Sequence, residues 1–345
     1  MTVTRSGVRI STQSDFSTYA DTLVSGEQTM VRASGLTPAT TYYARALAES
    51  GGVIYQSSNS VSFTTRDYMR FRNAGSGYTS LVISRTGAAV GISVEYSYDG
   101  ESWNRCDLSQ VNDSTQPIPP GGYLFLRGWN KTLYDDGLAS GLRFSSSGQL
   151  YAEGDVMTLF DPEGAVREIP RYGLYGVFQG FTGLLSVPGF SGVTAVDDYG
   201  LAQCFKDCSS LQAGADLSYA TTRTGEYAFF RMYNGCLAID DIGRLPVVMA
   251  STPGMCAEMF SGCASLERAS VKEIAYDTGL GGFERMFYGC GMLKELSIGL
   301  TTYDAANHTD WLYGCAAAGT IYALQGVTIP SGYNGVPAGW NLVRV

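Results

Sequence analysis

Met286-Phe287-Tyr288-Gly289-Cys290-Gly291-Met292-Leu293-Lys294-Glu295-Leu296-Ser297-Ile298 belongs to a pattern that recurs along the second half of the chain, and such recurrence outranks any local signal. Its first five residues are matched by Val177-Phe178-Gln179-Gly180-Phe181, Cys204-Phe205-Lys206-Asp207-Cys208, Met232-Tyr233-Asn234-Gly235-Cys236, Met259-Phe260-Ser261-Gly262-Cys263 and Trp311-Leu312-Tyr313-Gly314-Cys315. The anchors Phe178, Phe205, Tyr233, Phe260, Phe287 and Leu312 are 27, 28, 27, 27 and 25 residues apart. A unit this short cannot bury its own apolar face, so the near-constant period implies stacking of about six units.

Each copy reads as a short helical turn carrying its anchor inward, a glycine that ends the turn, and a strand that stacks on its neighbours. Three residues past the cysteine slot stands an apolar side chain (Leu184, Leu211, Ile239, Leu266, Leu293), followed by alternation such as Leu293-Lys294-Glu295-Leu296-Ser297-Ile298. The end copies depart from the pattern, as capping units do. Phe181 holds the cysteine slot of copy one, and copy six lacks the leucine. In copy two, Asp207 stands in the glycine slot.

The chain has eight cysteines. Five of them, Cys208, Cys236, Cys263, Cys290 and Cys315, share one slot and are expected to form an internal column of small buried side chains. No C-x-x-C pair occurs, and one histidine cannot complete a zinc site of the usual spacing. Cys204 and Cys208 stand four apart, but two ligands do not make a structural site. Thiols pointing the same way down a column lack the torsion a disulfide needs, so reduced thiols are expected.

Upstream, residues 1–66 read as short strands at Gly7–Thr12, Thr29–Ala33, Tyr42–Ala48 and Val61–Thr65, separated by Gly, Pro, Ser and Asn. In Gly35-Leu36-Thr37-Pro38-Ala39-Thr40-Thr41-Tyr42, Leu36 is expected to plug the core and Tyr42 to pack inward with its hydroxyl returned to backbone. Residues 67–165 form a second β-rich segment. Leu81–Ser84, Gly91–Tyr98, Gly121–Trp129 and Leu142–Ser145 read as strands, Asp99-Gly100 as a hairpin turn, and Trp103 as packed on the sheet beneath it.

The repeats resemble the BspA-like leucine-rich-repeat family of bacterial surface proteins over 171–345, including a closing segment at Gly319-Thr320-Ile321-Tyr322 and Gly335-Val336-Pro337-Ala338-Gly339-Trp340. The corner at 35–46 and the strand Ser60–Thr65 resemble a fibronectin type III domain that lacks its first two strands. Together they imply a mostly β, multi-domain chain in three parts. A partial fibronectin type III-like sandwich spans 1–66, a second small β-sandwich spans 67–165, and a leucine-rich-repeat α/β solenoid of about six units with a C-terminal cap spans 171–345.

The net charge of −9 repels phosphate backbones and anionic lipid heads, so no nucleic acid partner is expected. No stretch approaches the ~20 apolar residues of a membrane helix, so no membrane insertion is expected either. The start, MTVTRSGVRISTQ, reads as neither signal peptide nor anchor.

Catalytic readings are weak. His308, in Asn307-His308-Thr309, reads as a surface-loop residue, and every histidine-dependent hydrolase mechanism would depend on it alone. The pairs Asp135-Asp136, Asp197-Asp198 and Asp240-Asp241 fall in expected loops, where Asp is ordinary turn chemistry. Calcium near Asp135 lacks the EF-hand ligand pattern. Ser97-Tyr98-Asp99-Gly100-Glu101-Ser102-Trp103 looks like a sialidase aspartate box but occurs once, not blade by blade. Asn112, Asn130 and Asn307 head glycosylation-type triplets, which the bacterial resemblance makes irrelevant.

No catalytic, metal or cofactor-binding residue is therefore assigned, and the binding residues stay open. The expected function is non-enzymatic adhesion at a bacterial cell surface or outside the cell, the solenoid engaging a protein or glycan through amphipathic residues such as Tyr288 and Tyr313. One alternative is a phage virion component, a fibre or capsid decoration, forming a homo-oligomer that covers the open edge of the first domain. Another is a glycan-active enzyme.

Overall fold

The computed structural model describes residues 2–345 apart from 29, 30, 32, 34, 35, 38, 39, 88–90, 109–113, 137, 138, 221, 247–251 and 273–279. The chain is mostly β, built from several sheets. It divides into two compact units, Met1–Tyr68 and Met69–Val345.

In the first unit, β1 (Arg5–Ser11), β2 (Ala20–Ser25), β3 (Thr41–Ser50), β4 (Val53–Gln56) and β5 (Val61–Thr64) form one antiparallel sheet. β3 is its spine, pairing with β1 at Ser11↔Tyr43, with β4 at Leu47↔Gln56 and with β5 at Tyr42↔Phe63. Gly51-Gly52 makes the tight β3–β4 turn, both residues at positive φ as a two-residue hairpin loop requires. The Tyr42 ring is buried and its Oη accepts the Thr37 N–H at 2.9 Å, the expected corner. Leu36 is only half-buried. Thr29, Met30 and Arg32 of the expected strand, with Gly35, Pro38 and Ala39, lie outside the described residues.

The second unit opens with two sheets. β6 (Met69–Asn73), β7 (Thr79–Thr86), β8 (Val94–Ser97), β9 (Asn104–Arg105), β10 (Ser114–Ile118), β11 (Tyr123–Gly128), β12 (Tyr134–Asp135), β13 (Ser140–Ser146) and β14 (Leu150–Glu153) order themselves as β10-β7-β13-β12 and β14-β6-β11-β8-β9. Alternation turns Met69, Phe71, Leu124 and Leu126 of one sheet and Leu81, Ile83, Leu142 and Phe144 of the other to a shared interior. Phe71 meets Phe144 there at 5.4 Å. Asp99-Gly100 lies within the loop joining β8 to β9, and the half-buried Trp103 is covered by the Arg127 guanidinium at 4.1 Å from the ring centroid.

Through the repeats, the strands shorten to β15 (Glu168–Ile169), β16 (Leu184–Ser186), β17 (Ala195–Val196), β18 (Arg223–Thr224), β19 (Arg268–Val271) and β20 (Glu295–Ile298), closed by β21 (Gly319–Ala323) and β22 (Trp340–Arg344). β15-β17-β18 and β19-β20-β21-β22 are parallel ladders in which each strand pairs with its counterpart one copy on.

The expected helical turn is a correction. Among the described residues the only helices are the 3-10 segments Val156–Leu159 and Ala305–His308. The anchor-bearing stretch is instead a run of turns with a left-handed residue every fourth position: Tyr199, Gln203 and Asp207 in copy two; Tyr227, Arg231 and Gly235 in copy three; Gly254, Glu258 and Gly262 in copy four. Each interruption stops an i→i−4 ladder, so alternate N–H groups must find partners elsewhere. They find them in the next copy. Phe178 donates to Cys204, Phe205 to Met232, Tyr233 to Met259, Phe260 to Met286 and Phe287 to Trp311, all at 2.9 Å. The glycine slot of the pattern is the last left-handed position, φ 73–78° in Gly180, Gly235, Gly262, Gly289 and Gly314. Asp207 adopts φ 60° there, which Asp tolerates better than most residues.

The anchors are fully buried, and their rings stack at 5.0, 5.5, 5.3 and 5.7 Å from Phe178 through Phe205, Tyr233 and Phe260 to Phe287. Copy one joins the sheets directly. β16 pairs in parallel with β14, Phe178 packs on Phe144, and Phe181 packs on Phe71. One apolar core therefore runs from Met69 to Trp340, shared by the segments 67–165 and 171–345. At the far end, Trp340 is buried against Gly319 and donates its Nε1–H to the Ala316 carbonyl at 2.7 Å.

Candidate binding surface

The repeated thiols are inside. Cys208, Cys236, Cys263 and Cys290 are buried, Cys315 is half-buried, and all are free. Each sulfur also donates to the anchor carbonyl of the preceding copy: Cys208 Sγ to Phe178 O (3.1 Å), Cys236 to Phe205 (3.0 Å), Cys263 to Tyr233 (3.3 Å), Cys290 to Phe260 (3.0 Å) and Cys315 to Phe287 (3.2 Å). Copy one has no preceding copy to receive such a bond, which explains the phenylalanine in its slot. Burial pushes the Cys236 and Cys256 thiols up to about 12, so they are poor nucleophiles near neutrality.

His308 corrects the expectation of a surface loop. It is fully buried, stacked between Tyr303 (4.0 Å) and Phe283 (4.7 Å) with Trp311 edge-on (4.9 Å), and its Nδ1 lies 2.8 Å from the Asp304 carbonyl. It occupies, one copy on, the core slot of Phe283.

Asp197, Asp198 and Asp241 serve the backbone, whereas Asp135, expected in a loop, ends β12 opposite Ser140. Asp197 Oδ1 accepts the Asp198 N–H (2.9 Å) and Arg223 Nη1 (3.1 Å), Asp198 Oδ1 accepts the Glu226 N–H (2.9 Å), and Asp241 Oδ1 accepts the Gly243 N–H (2.8 Å). Asp99 Oδ1 gathers the Ser102 and Glu101 amides and the Ser97 hydroxyl, which hold its carboxyl well below the usual range. Among the described residues no three His, Cys, Asp or Glu side chains are grouped to hold a metal ion. Asn130 is buried, its amide bonded to Ser93 and Leu159, and Asn307 is buried too; Asn112 lies outside the described residues.

What remains outward falls into columns, because corresponding residues of successive copies lie side by side. On the turn face, Tyr172, Tyr199 and Tyr227 stack at 4.9 and 5.1 Å with planes within 11°, and Tyr134 and Tyr175 extend the row. Burial raises the hydroxyl pKa of Tyr172, Tyr175 and Tyr199. Nearer the C-terminus, Tyr288 and Tyr313 stack at 5.2 Å, and Tyr333 from the closing segment meets Tyr313 at 4.9 Å. On the strand side, two adjoining shallow grooves of about 630 and 340 Å³ share Asp240 and Arg268. Of their lining residues, Arg268 pairs with Glu295 (3.2 Å) and Glu267 with Lys294 (2.7 Å), solvent-exposed pairs of small energetic worth.

No family model, curated protein or solved structure matches the chain.

Proposed function

We propose that the chain is a non-enzymatic binding protein of the BspA-like kind, acting in adhesion at a bacterial cell surface or outside the cell. Its copies make a leucine-rich-repeat-type solenoid, the two sheets ahead of them a sandwich that caps its first turn, and the first unit a fibronectin-like module. One observation carries the reading: the residues that vary between copies are aligned by the cross-copy bonds into continuous outer columns, while the repeated ones are consumed by the core. The catalytic-looking groups support it, since Asp198 and Asp241 bind backbone and His308 is packed between rings. Saturable retention of the purified chain on at least one immobilised surface protein or polysaccharide is the expected result. Turnover of a glycan without such retention would overturn the reading in favour of an enzyme.

A second reading, a phage virion component, is favoured by the first unit, where β4 is exposed throughout and β5 carries Val61 at 66% exposure. A symmetric copy would cover such an edge. A strictly monomeric mass in solution counts against it.

A further inference from the structure

We infer that Tyr288, Tyr313 and Tyr333 form a carbohydrate platform on the turn face that takes pyranose rings of a neutral polysaccharide; this rests on the binding reading above and names its ligand class. The slot of Tyr288 and Tyr313 holds Gln179, Lys206, Asn234 and Ser261 in the earlier copies. Packing of the repeat therefore does not require an aromatic ring there. Tyr288, Tyr313 and Tyr333 are 37, 43 and 56% exposed; Tyr288 and Tyr313 stack on one another, the slot beyond Tyr288 holds only Ser261, and Tyr333 tilts 57° from Tyr313, so open ring face is left at the ends of the row, on Tyr288 and Tyr333.

The other aromatic row is covered at its ends too, with Tyr134 beside Tyr172 at 5.8 Å. Tyr172, Tyr199 and Tyr227 cover one another's faces, and Tyr227 lies against the backbone of Gly254, which leaves mainly edges and hydroxyls. An open aromatic face suits the apolar C–H side of a sugar ring, while the hydroxyl rim needs polar groups close by. These are present in the phenol hydroxyls and in the Arg285–Asp310 pair (3.7 Å), with the Arg285 guanidinium 5.7 Å from the Tyr288 ring centroid. Three rings fall short of the ~800 Å² per partner of a standard protein interface but match a few sugars. The pairing of Arg285 with Asp310 and the net charge of −9 argue for a neutral glycan over a polyanion.

The test is affinity electrophoresis of the full chain through gels containing a mixed-linkage β-glucan, a galactomannan, an α-glucan or a xylan. At least one should retard it. Tyr333→Ala and Tyr313→Ala should each weaken retardation about tenfold. Tyr313→Phe should keep most of it, and Tyr219→Ala, an exposed tyrosine elsewhere, all of it; an unchanged thermal midpoint certifies each fold. Retardation equal in Tyr333→Ala and Tyr219→Ala overturns this site and leaves the binding reading standing. No retardation by any of the four, with saturable binding to a surface protein, overturns the glycan class alone. Neither kind of binding overturns both.

Discussion

A buried thiol can be filler or hydrogen-bond donor, and the repeated cysteine is both. Its burial was legible from the slot it shares with Cys208, Cys263 and Cys290. The carbonyl it meets was not, because that depends on which backbone oxygen the previous copy presents. Replacing Cys236 by Val keeps an apolar side chain but removes the donor to Phe205, at a cost of about 1 kcal/mol. Cys236→Ser, which keeps a donor, should cost less in urea denaturation; the reverse order would show that the sulfur is filler alone. A thiol whose folded pKa is raised contributes stability that is intact below its unfolded value and lost as pH rises through the folded one. With Cys236 and Cys256 pushed from 9.0 to about 12, unfolding free energy should fall steadily from pH 9 towards 12, read by denaturant midpoints. His308 was misread because Asn-His-Thr looks like a loop in composition. Counting 25 residues back to Phe283, the spacing that also separates Leu312 from Phe287, places it in the core.

At the scale of the element, the period, the anchors and the glycine slot could be read directly, whereas the conformation between them could not. A helical turn and a run of left-handed turns both point an aromatic residue inward and both end on glycine. What separates them is the left-handed backbone at Tyr199, Tyr227, Gln203 and Arg231, residue types that do not announce it. Gly289→Ala has room for its Cβ, so its cost is conformational, about 1 kcal/mol, and a calorimetric melt should show it. β4 was missed for a simpler reason: Gly51-Gly52 looked like a loop, although two glycines at positive φ make the tightest hairpin connection.

For the whole molecule, the sequence divides where its composition changes, but cores divide where packing stops. Residues 67–165 and 171–345 look like separate tracts, yet Phe71 and Phe144 pack on Phe178, and β14 pairs with β16. Phe181→Ala, at that junction, should destabilise the whole of Met69–Val345 by roughly 3–5 kcal/mol and leave the transition of Met1–Tyr68 in place, as two-phase calorimetry would record. The central claim is that alternate amides in each run of turns bond to the next copy. Native-state hydrogen exchange resolved by residue tests it most directly. The amides of Leu201, Gln203, Phe205 and Asp207, which donate to Ala228, Phe230, Met232 and Asn234, should exchange together and slowly, with the same alternation in the copies that follow. Fast exchange at these four amides, while Ala202, Cys204 and Lys206, which bond back to Tyr199, Leu201 and Gln203, stay protected, would contradict the account.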